Sequence, residues 1–128
     1  LVTYHPDLAT LRTVLEATLP QVDRLLVVDN GSPDALEEGL RSFIDTGKVE
    51  VRRLGRNFGI AHAHNRGLET LLIDGCEWLL VLDQDSVPQP GMVAGLRNAT
   101  VAARAAGVAV SAAGPRYVDP RTGHEPFF

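Results

Sequence analysis

The strongest constraint on the fold is an alternation of short apolar runs with amphipathic segments along the chain. Continuous apolar runs at residues 24–29 and 78–82 are typical of strands that are buried on both faces. Apolar residues at helical spacing, flanked by Pro and Gly, predict helices at residues 7–18, 35–45, 59–73 and 92–106. Strands that alternate with helices form βαβ units, so the sequence predicts an α/β fold with a mostly parallel sheet flanked by helices.

Three further strands complete the expected sheet. Residues 1–3 are interpreted as the end of a first strand, 49–54 as a half-exposed or edge strand, and 108–113 as a fifth strand. The run at 78–82 is the most apolar of all, and we expect it to be the central strand. A turn signal at residues 119–123 predicts a junction between two short strands.

Composition limits the partners and the compartment. The 128 residues correspond to about one domain, and a net charge of −4 argues against a nucleic acid or an anionic membrane as partner. Cys76 is the only cysteine, so no intramolecular disulfide can form and a reducing compartment is the simpler interpretation. The longest apolar run is far shorter than the roughly 20 residues that span a bilayer. The chain begins inside a predicted strand and ends on an apolar Phe pair, so we expect it to be part of a longer protein.

Polar side chains follow four of the predicted strands. In a parallel sheet, ligands bind in the crevice outside the carboxyl ends of the strands, so the functional residues are expected there. The segments at these ends are Thr3-Tyr4-His5, Asp29-Asn30, Arg56-Asn57 and Asp83-Gln84-Asp85-Ser86.

Asp83 and Asp85 are the strongest candidates for chemistry. In an extended stretch the side chains of residues i and i+2 point the same way, so both carboxylates can address one ligand. Mg²⁺ or Mn²⁺ takes oxygen ligands of this kind, often one or two carboxylates together with substrate phosphates. The alternative is that the two acids only cap the following turn.

Asp29 and the segment from Asn57 to Gly67 are the next candidates. The Asp29 carboxylate can accept a hydrogen bond from the imide N–H of uracil or thymine, or it can instead shape its own loop as an Asx-turn. Gly59 allows close backbone approach at a helix start, where free N–H groups favour an anion. His62 and His64 do not share a helix face, which argues against a paired metal site, although one of them can still contact a ligand.

Four segments in this order resemble the family 2 glycosyltransferases, which have the GT-A fold. They are Leu1-Val2-Thr3-Tyr4, Val27-Val28-Asp29-Asn30-Gly31-Ser32, Asn57-x-Gly59-x-Ala61-x-Ala63-x-Asn65-x-Gly67 and Leu82-Asp83-Gln84-Asp85-Ser86. The Asp-Gln-Asp-Ser form is similar to the bacterial rhamnosyltransferase branch, whose donor is dTDP-L-rhamnose. Gly114-Pro115-Arg116-Tyr117 with Asp119 also resembles that branch.

The resemblance implies a role for each candidate. Thr3 and Asp29 would contact the nucleobase and its ribose, Asp83 the ribose or the metal-held diphosphate, and Asp85 the metal ion. His64 and Asn65 would lie under the nucleotide, where many relatives carry arginine in place of His64. The full set of implied nucleotide-sugar contacts is Thr3, Tyr4, Asp29, Asn57, Gly59, His64, Asn65 and Asp83, with Asp85 and Asp83 as ligands of Mg²⁺ or Mn²⁺.

The reaction that the resemblance implies is inverting transfer of a sugar, L-rhamnose by the same resemblance, to a saccharide or lipid-linked acceptor in bacterial polysaccharide synthesis. The general base of such enzymes would lie beyond Phe128, so residues 1–128 are expected to bind the donor and to transfer it poorly or not at all. The resemblance implies a cytoplasmic setting, which is compatible with peripheral association of the full-length protein at the inner face of the membrane.

Other classes of protein use acids that follow a strand. A haloacid-dehalogenase-type phosphatase would use Asp83 as nucleophile and Asp85 as acid, and a receiver domain would use similar acids without catalysis. Both need a lysine downstream, whereas Lys48 is the only lysine and precedes the acids. A nucleotidyltransferase would need a glycine-rich basic first loop, where this chain has His5-Pro6-Asp7.

Overall fold

The computed structural model describes residues 1–32 and 35–116, and the chain divides into two units, Leu1–Pro90 and Gly91–Phe128. No helix among the described residues is both long and apolar enough to cross a membrane. The turn expected at residues 119–123 lies outside the described residues.

The centre of the first unit is a parallel sheet with the strand order β1-β2-β3. Its strands are β1 (Val2–Thr3), β2 (Leu25–Asp29) and β3 (Val49–Arg53). Every residue of β2 is buried, because β2 has a strand on each side and helices over both faces. The predictions of a parallel sheet and of strands at 1–3, 24–29 and 49–54 are confirmed.

Helices lie where the periodicity predicts them, with one exception. The helices are α1 (Leu8–Thr18), α2 (Ala35–Gly39), α3 (Arg41–Ile44), α4 (Ile60–Ile73) and α5 (Met92–Ala105), and a short 3-10 helix at Leu19–Gln21 follows α1. Asp7 caps α1 by accepting hydrogen bonds from the backbone N–H and the hydroxyl of Thr10, which lower the pKa of the Asp7 carboxyl.

The prediction of one helix at 35–45 is wrong, because the helix is interrupted at Leu40. Leu40 leaves helical geometry (φ −104°, ψ 4°) and is fully buried in the core. A Cβ on Gly39 would lie 2.9 Å from a methyl carbon of Leu8, so the end of α2 packs closely on α1. The interruption therefore serves core packing, which helical spacing alone does not indicate.

Alternate residues of β2 contribute to two apolar clusters, as expected for a strand covered on both faces. Leu25 and Val27 pack with residues of α1, α2 and α3, whereas Leu26 and Val28 pack with Val2 and Ala63 of α4. A Cβ on Gly67 would lie 3.1 Å from Val28 Cγ2. The small residues of α4 thus let this helix lie close against β1 and β2, and they place its N-terminus near the carboxyl ends of the strands.

The prediction of a central strand at 78–82 is wrong. These residues form no strand, and Val81 is 53% exposed. Leu80 and Val81 instead line an apolar cavity together with Leu1 and Val2, so the run lies beside β1 through side chains rather than through a backbone ladder. The apolar pattern of residues 78–82 indicates that their side chains pack against other apolar residues. It does not indicate whether their backbone pairs with another strand.

The prediction of a strand at 108–113 is also wrong. In the second unit the backbone of this segment bonds to the end of α5, since Val108 N–H donates to Ala103 O (3.0 Å) and Arg104 Nη2 donates to Val110 O (3.1 Å). Val108 is exposed, and no strand within the described residues of this unit offers a ladder.

Leu15→Ala tests the larger apolar cluster. Leu15 has no exposed surface, so the substitution leaves a cavity and we expect it to lower the free energy of unfolding by about 2–5 kcal/mol in urea titrations. Leu72→Ala on α4, where the side chain is 59% exposed, is the control and should change it by less than about 0.5 kcal/mol. Equal effects of the two substitutions would contradict this account of the core.

Gly31→Ala tests the close approach between the loops after β2 and β3. Gly31 has φ +104°, and a Cβ there would lie 2.7 Å from the Arg56 carbonyl carbon, so backbone must move. Gly47→Ala, at φ +74° with nothing within 4 Å of its Cβ, carries only the backbone cost of roughly 1–2 kcal/mol. We expect Gly31→Ala to lower the thermal midpoint clearly more than Gly47→Ala, and the reverse order would be inconsistent with this contact.

Candidate functional site

The carboxyl ends of the three strands are joined by a row of paired residues. Thr3, Asp29 and Arg53 are in register across the sheet. The Thr3 hydroxyl donates to Asp29 Oδ1 (3.2 Å), and Arg53 Nε lies 3.6 Å from Asp29 Oδ2. Thr3 and Asp29 are fully buried, whereas the Arg53 side chain is partly exposed. These side-chain contacts hold the carboxyl ends of the three strands side by side, in the register given above.

The Asp29 carboxylate also shapes the loop that follows β2. Ser32 N–H donates to Asp29 Oδ1 and Oδ2 at 3.2 and 3.1 Å, and Arg53 Nη2 donates to Ser32 O (2.8 Å). The turn-shaping interpretation of Asp29 is therefore confirmed. Contact of Asp29 or Thr3 with a nucleobase stays a prediction, since both side chains lie below the surface.

The loop after β1 is tied to the same turn. His5 N–H donates to Ser32 Oγ (3.0 Å), and His5 adopts φ +46°, a conformation that side-chain-bearing residues rarely adopt. Tyr4 precedes it and is 45% exposed, and its ring and the His5 ring pack edge to face with their centroids 4.4 Å apart. Tyr4 therefore leaves part of its surface open to solvent next to the buried Thr3.

Asn57 organises the start of α4. Its Oδ1 accepts from Asn30 Nδ2 (3.0 Å) and from Gly59 N–H (2.8 Å), and Asn30 Oδ1 accepts from Phe58 N–H (2.9 Å). Gly59 has φ +87°, which permits the sharp entry into the helix. Among the predicted site residues, Asn57 and Gly59 are therefore brought to the end of β2, and Asn30 is a partner that the sequence reasoning left unassigned.

His64 and Asn65 lie on the first turns of α4 with different surroundings. His64 is half-buried and lines the apolar cavity beside Leu80 and Val81, whereas Asn65 is exposed. His62 is exposed, and its ring packs on Phe58 with the centroids 5.0 Å apart. The two imidazoles therefore occupy different environments, and only His64 lies against the segment that leads to the acidic residues.

Asp83 and Asp85 are both exposed, while Gln84 between them is half-buried. Gln84 and Asp85 lie in a turn, so the extended geometry expected from the sequence does not continue through Asp85. Tyr4 N–H donates to Gln84 Oε1 (2.9 Å) and Gln84 Nε2 donates to Tyr4 O (3.4 Å). These bonds hold the acidic turn beside the carboxyl end of β1. Sequence reasoning placed Gln84 in a polar segment that follows a predicted strand but assigned it no role of its own.

Asp83 and Asp85 supply carboxylate oxygens, the donor type that Mg²⁺ and Mn²⁺ take, but a divalent cation would need further ligands here. Within residues 1–32 and 35–116, no three His, Cys, Asp or Glu side chains form a ready-made metal cluster. An ion held here by two exposed carboxylates would have to obtain its other ligands elsewhere, for example from substrate phosphates. The expected motif residues Tyr117 and Asp119 lie outside the described residues.

Comparison with known proteins places the chain in a family. The model of "Glycosyl transferase family 2" matches residues 1–126. The chain is also similar to "dTDP-rhamnosyl transferase RfbF" of Shigella flexneri, with 38% identity over 86 residues. That match covers 67% of this chain and 28% of the relative, so the chain spans well under half of the relative's length. Since the family model covers nearly the whole sequence, the chain belongs to glycosyl transferase family 2.

Proposed function

We propose that residues 1–128 form the nucleotide-sugar-binding part of an inverting glycosyltransferase whose donor is dTDP-L-rhamnose. Family membership and the similarity to a dTDP-rhamnosyl transferase support this proposal. The observation that carries it is the exposure of Asp83 and Asp85 on a turn hydrogen-bonded to the backbone directly after β1. Ligands of parallel α/β sheets bind at this edge.

Asp85, with Asp83, would hold Mg²⁺ or Mn²⁺ together with oxygens of the donor diphosphate. The ion would supply stabilisation of the negative charge that develops on the departing diphosphate. The two carboxylates would fix the position of that charge relative to β1. Because both are exposed, neither has to be uncovered before the donor arrives.

The nucleoside would lie over the carboxyl ends of β1 and β2. The exposed Tyr4 ring offers a face for the base or ribose, and the Asn57-Phe58-Gly59 segment lines the approach from α4. Thr3 and Asp29 would support this surface from beneath, and direct contact with the base would require the turn at Ser32 to open. His64 and Asn65 would lie nearer the diphosphate, with less positive charge than an arginine supplies.

In the proposed reaction an acceptor hydroxyl, on a saccharide or a lipid-linked saccharide, attacks the anomeric carbon from the side opposite the leaving diphosphate. A general base takes the hydroxyl proton, and we place that base after residue 128. Residues 1–128 alone would therefore bind the donor without appreciable transfer. The proposed setting is polysaccharide synthesis on the cytoplasmic side of a bacterial membrane.

Family membership favours this reading over the phosphatase, receiver and nucleotidyltransferase hypotheses. The only lysine, Lys48, directly precedes β3. Chemistry that needs a lysine later in the chain than the acids therefore has no candidate within these 128 residues.

Asp85→Ala tests the proposed metal ligand. We expect the unaltered chain to bind dTDP-rhamnose at least about tenfold more tightly with Mn²⁺ than without it, a difference of about 1.4 kcal/mol. Asp85→Ala should abolish this difference and leave metal-free binding nearly unchanged, as measured by isothermal titration calorimetry. UDP-glucose, titrated in parallel, should bind more weakly if the thymine and rhamnose assignments are right.

Asp45→Ala is the matched control, because Asp45 is an exposed acid at the end of α3. This variant should keep the full effect of Mn²⁺. Metal enhancement that persists in Asp85→Ala, or that disappears equally in Asp45→Ala, would contradict the assignment.

A further inference from the structure

We propose that Gln84 is a positioning residue, whose carboxamide pairs with the backbone of Tyr4 directly after β1 and thereby fixes the two flanking carboxylates for the metal ion. This inference rests on the proposed function of Asp83 and Asp85. It assigns to the residue between them a task that the sequence pattern does not reveal.

The backbone of β1 has one paired edge and one open edge. On the paired edge, Leu1 O accepts from Val28 N–H (2.9 Å) and Thr3 O accepts from Asn30 N–H (2.8 Å). The backbone groups of successive residues in a strand face opposite edges, so those of Tyr4 face away from β2. Among the described strands none lies on that side, because β1 ends the strand order.

Gln84 satisfies both backbone groups of Tyr4 on this open edge. A side-chain amide carries an acceptor and donors on one planar group, as a peptide unit does. Its Oε1 accepts from Tyr4 N–H at 2.9 Å, and its Nε2 donates to Tyr4 O at the longer distance of 3.4 Å. The contact joins residues 80 positions apart in the sequence. At Tyr4 the amide thus occupies the backbone groups that a neighbouring strand would otherwise bond.

The tie determines where the carboxylates lie. Asp83 and Asp85 are exposed on either side of the half-buried Gln84, so fixing its side chain limits how far either acid can move. Metal and diphosphate binding depends on ligand positions held within about 0.5 Å. Tyr4 directly follows Thr3, which bonds to Asp29, so the same contact sets the distance between the acids and the expected nucleoside surface.

Gln84→Met tests the tie, because methionine keeps the side-chain length and removes both polar groups. In the free protein we expect the Tyr4 amide to exchange with solvent at least about tenfold faster, since it loses its hydrogen-bond acceptor. In calorimetry with dTDP-rhamnose, the enhancement by Mn²⁺ should fall at least about tenfold while metal-free affinity changes less than about twofold. Gln84→Asn, which keeps the amide on a shorter stem, should lie between the two proteins in both measurements.

Gln21→Met is the matched control. Gln21 Nε2 donates to Ala17 O (3.0 Å) and to Gln89 O (3.1 Å). It therefore connects α1 to Gln89, which follows Gln84 five residues later in the chain. We expect it to leave the effect of Mn²⁺ unchanged. If Gln21→Met reduced the enhancement by Mn²⁺ as much as Gln84→Met does, loss of either hydrogen-bonded contact would be sufficient. That result would overturn a specific role for Gln84.

The two proposals fail in different ways. If Tyr4 exchange is unchanged in Gln84→Met, or if Mn²⁺ enhances binding equally in Gln84→Met and the unaltered chain, the positioning role is wrong and the metal site stands. If Mn²⁺ has no effect on the unaltered chain, the metal site is wrong and the positioning role fails with it, even where Tyr4 exchange is faster.

Discussion

A buried carboxylate at the end of β2 is the constraint on which the rest of the site depends. Removing a charge from water is costly unless it is paired and hydrogen-bonded, and Asp29 meets this condition through Thr3, Ser32 and Arg53. Its partners come from β1, from its own loop and from β3, so the carboxylate can be satisfied only when all three strands are in register. A slip of one residue in β1 would remove the Thr3 partner, and a slip in β3 would remove the Arg53 partner.

From this row, hydrogen bonds between side chains and backbone extend to every loop of the site. Ser32 holds His5, the Asn30–Asn57 pair holds the start of α4, and Gln84 holds the acidic turn on Tyr4. Each tie joins segments that are far apart in sequence and outside any regular ladder. The surface where a donor would bind is therefore built by a few polar side chains, whereas apolar packing of β2 between α1 and α4 supplies the support beneath it.

The sequence predicts the regular part of this arrangement well. Apolar runs and helical spacing are properties of single segments, so β2, β3, α1, α4 and α5 could be located from the pattern alone. The failures at 78–82 and 108–113 share a feature: neither backbone pairs with a strand, and such pairing is not a property of a single segment. After β1, the Gln84 side chain bonds the backbone of Tyr4, and at 108–113 the segment bonds to the end of α5.

The candidate site follows the same division between local and distant information. Thr3, Asp29, Asn57 and the acidic pair could be singled out because they follow strands, and the structure gathers Thr3, Asp29, Asn57 and the acidic turn around the ends of β1 and β2. The roles of Asn30 and Gln84 could not be predicted, since each acts on a residue more than twenty positions away. The extended geometry assumed for Asp83 and Asp85 was inferred from a strand that does not form, yet both side chains still face solvent.

The central claim is that the exposed acidic turn beside β1 is where a metal-bound diphosphate lies. Paramagnetic broadening of backbone amide signals by Mn²⁺, recorded in the presence of dTDP, measures that location directly. We predict the strongest broadening at the amides of Asp83, Asp85 and Tyr4, with weaker effects at the α3 acid Asp45. Strongest broadening at Asp45 or at any site away from the ends of β1 and β2 would contradict the account.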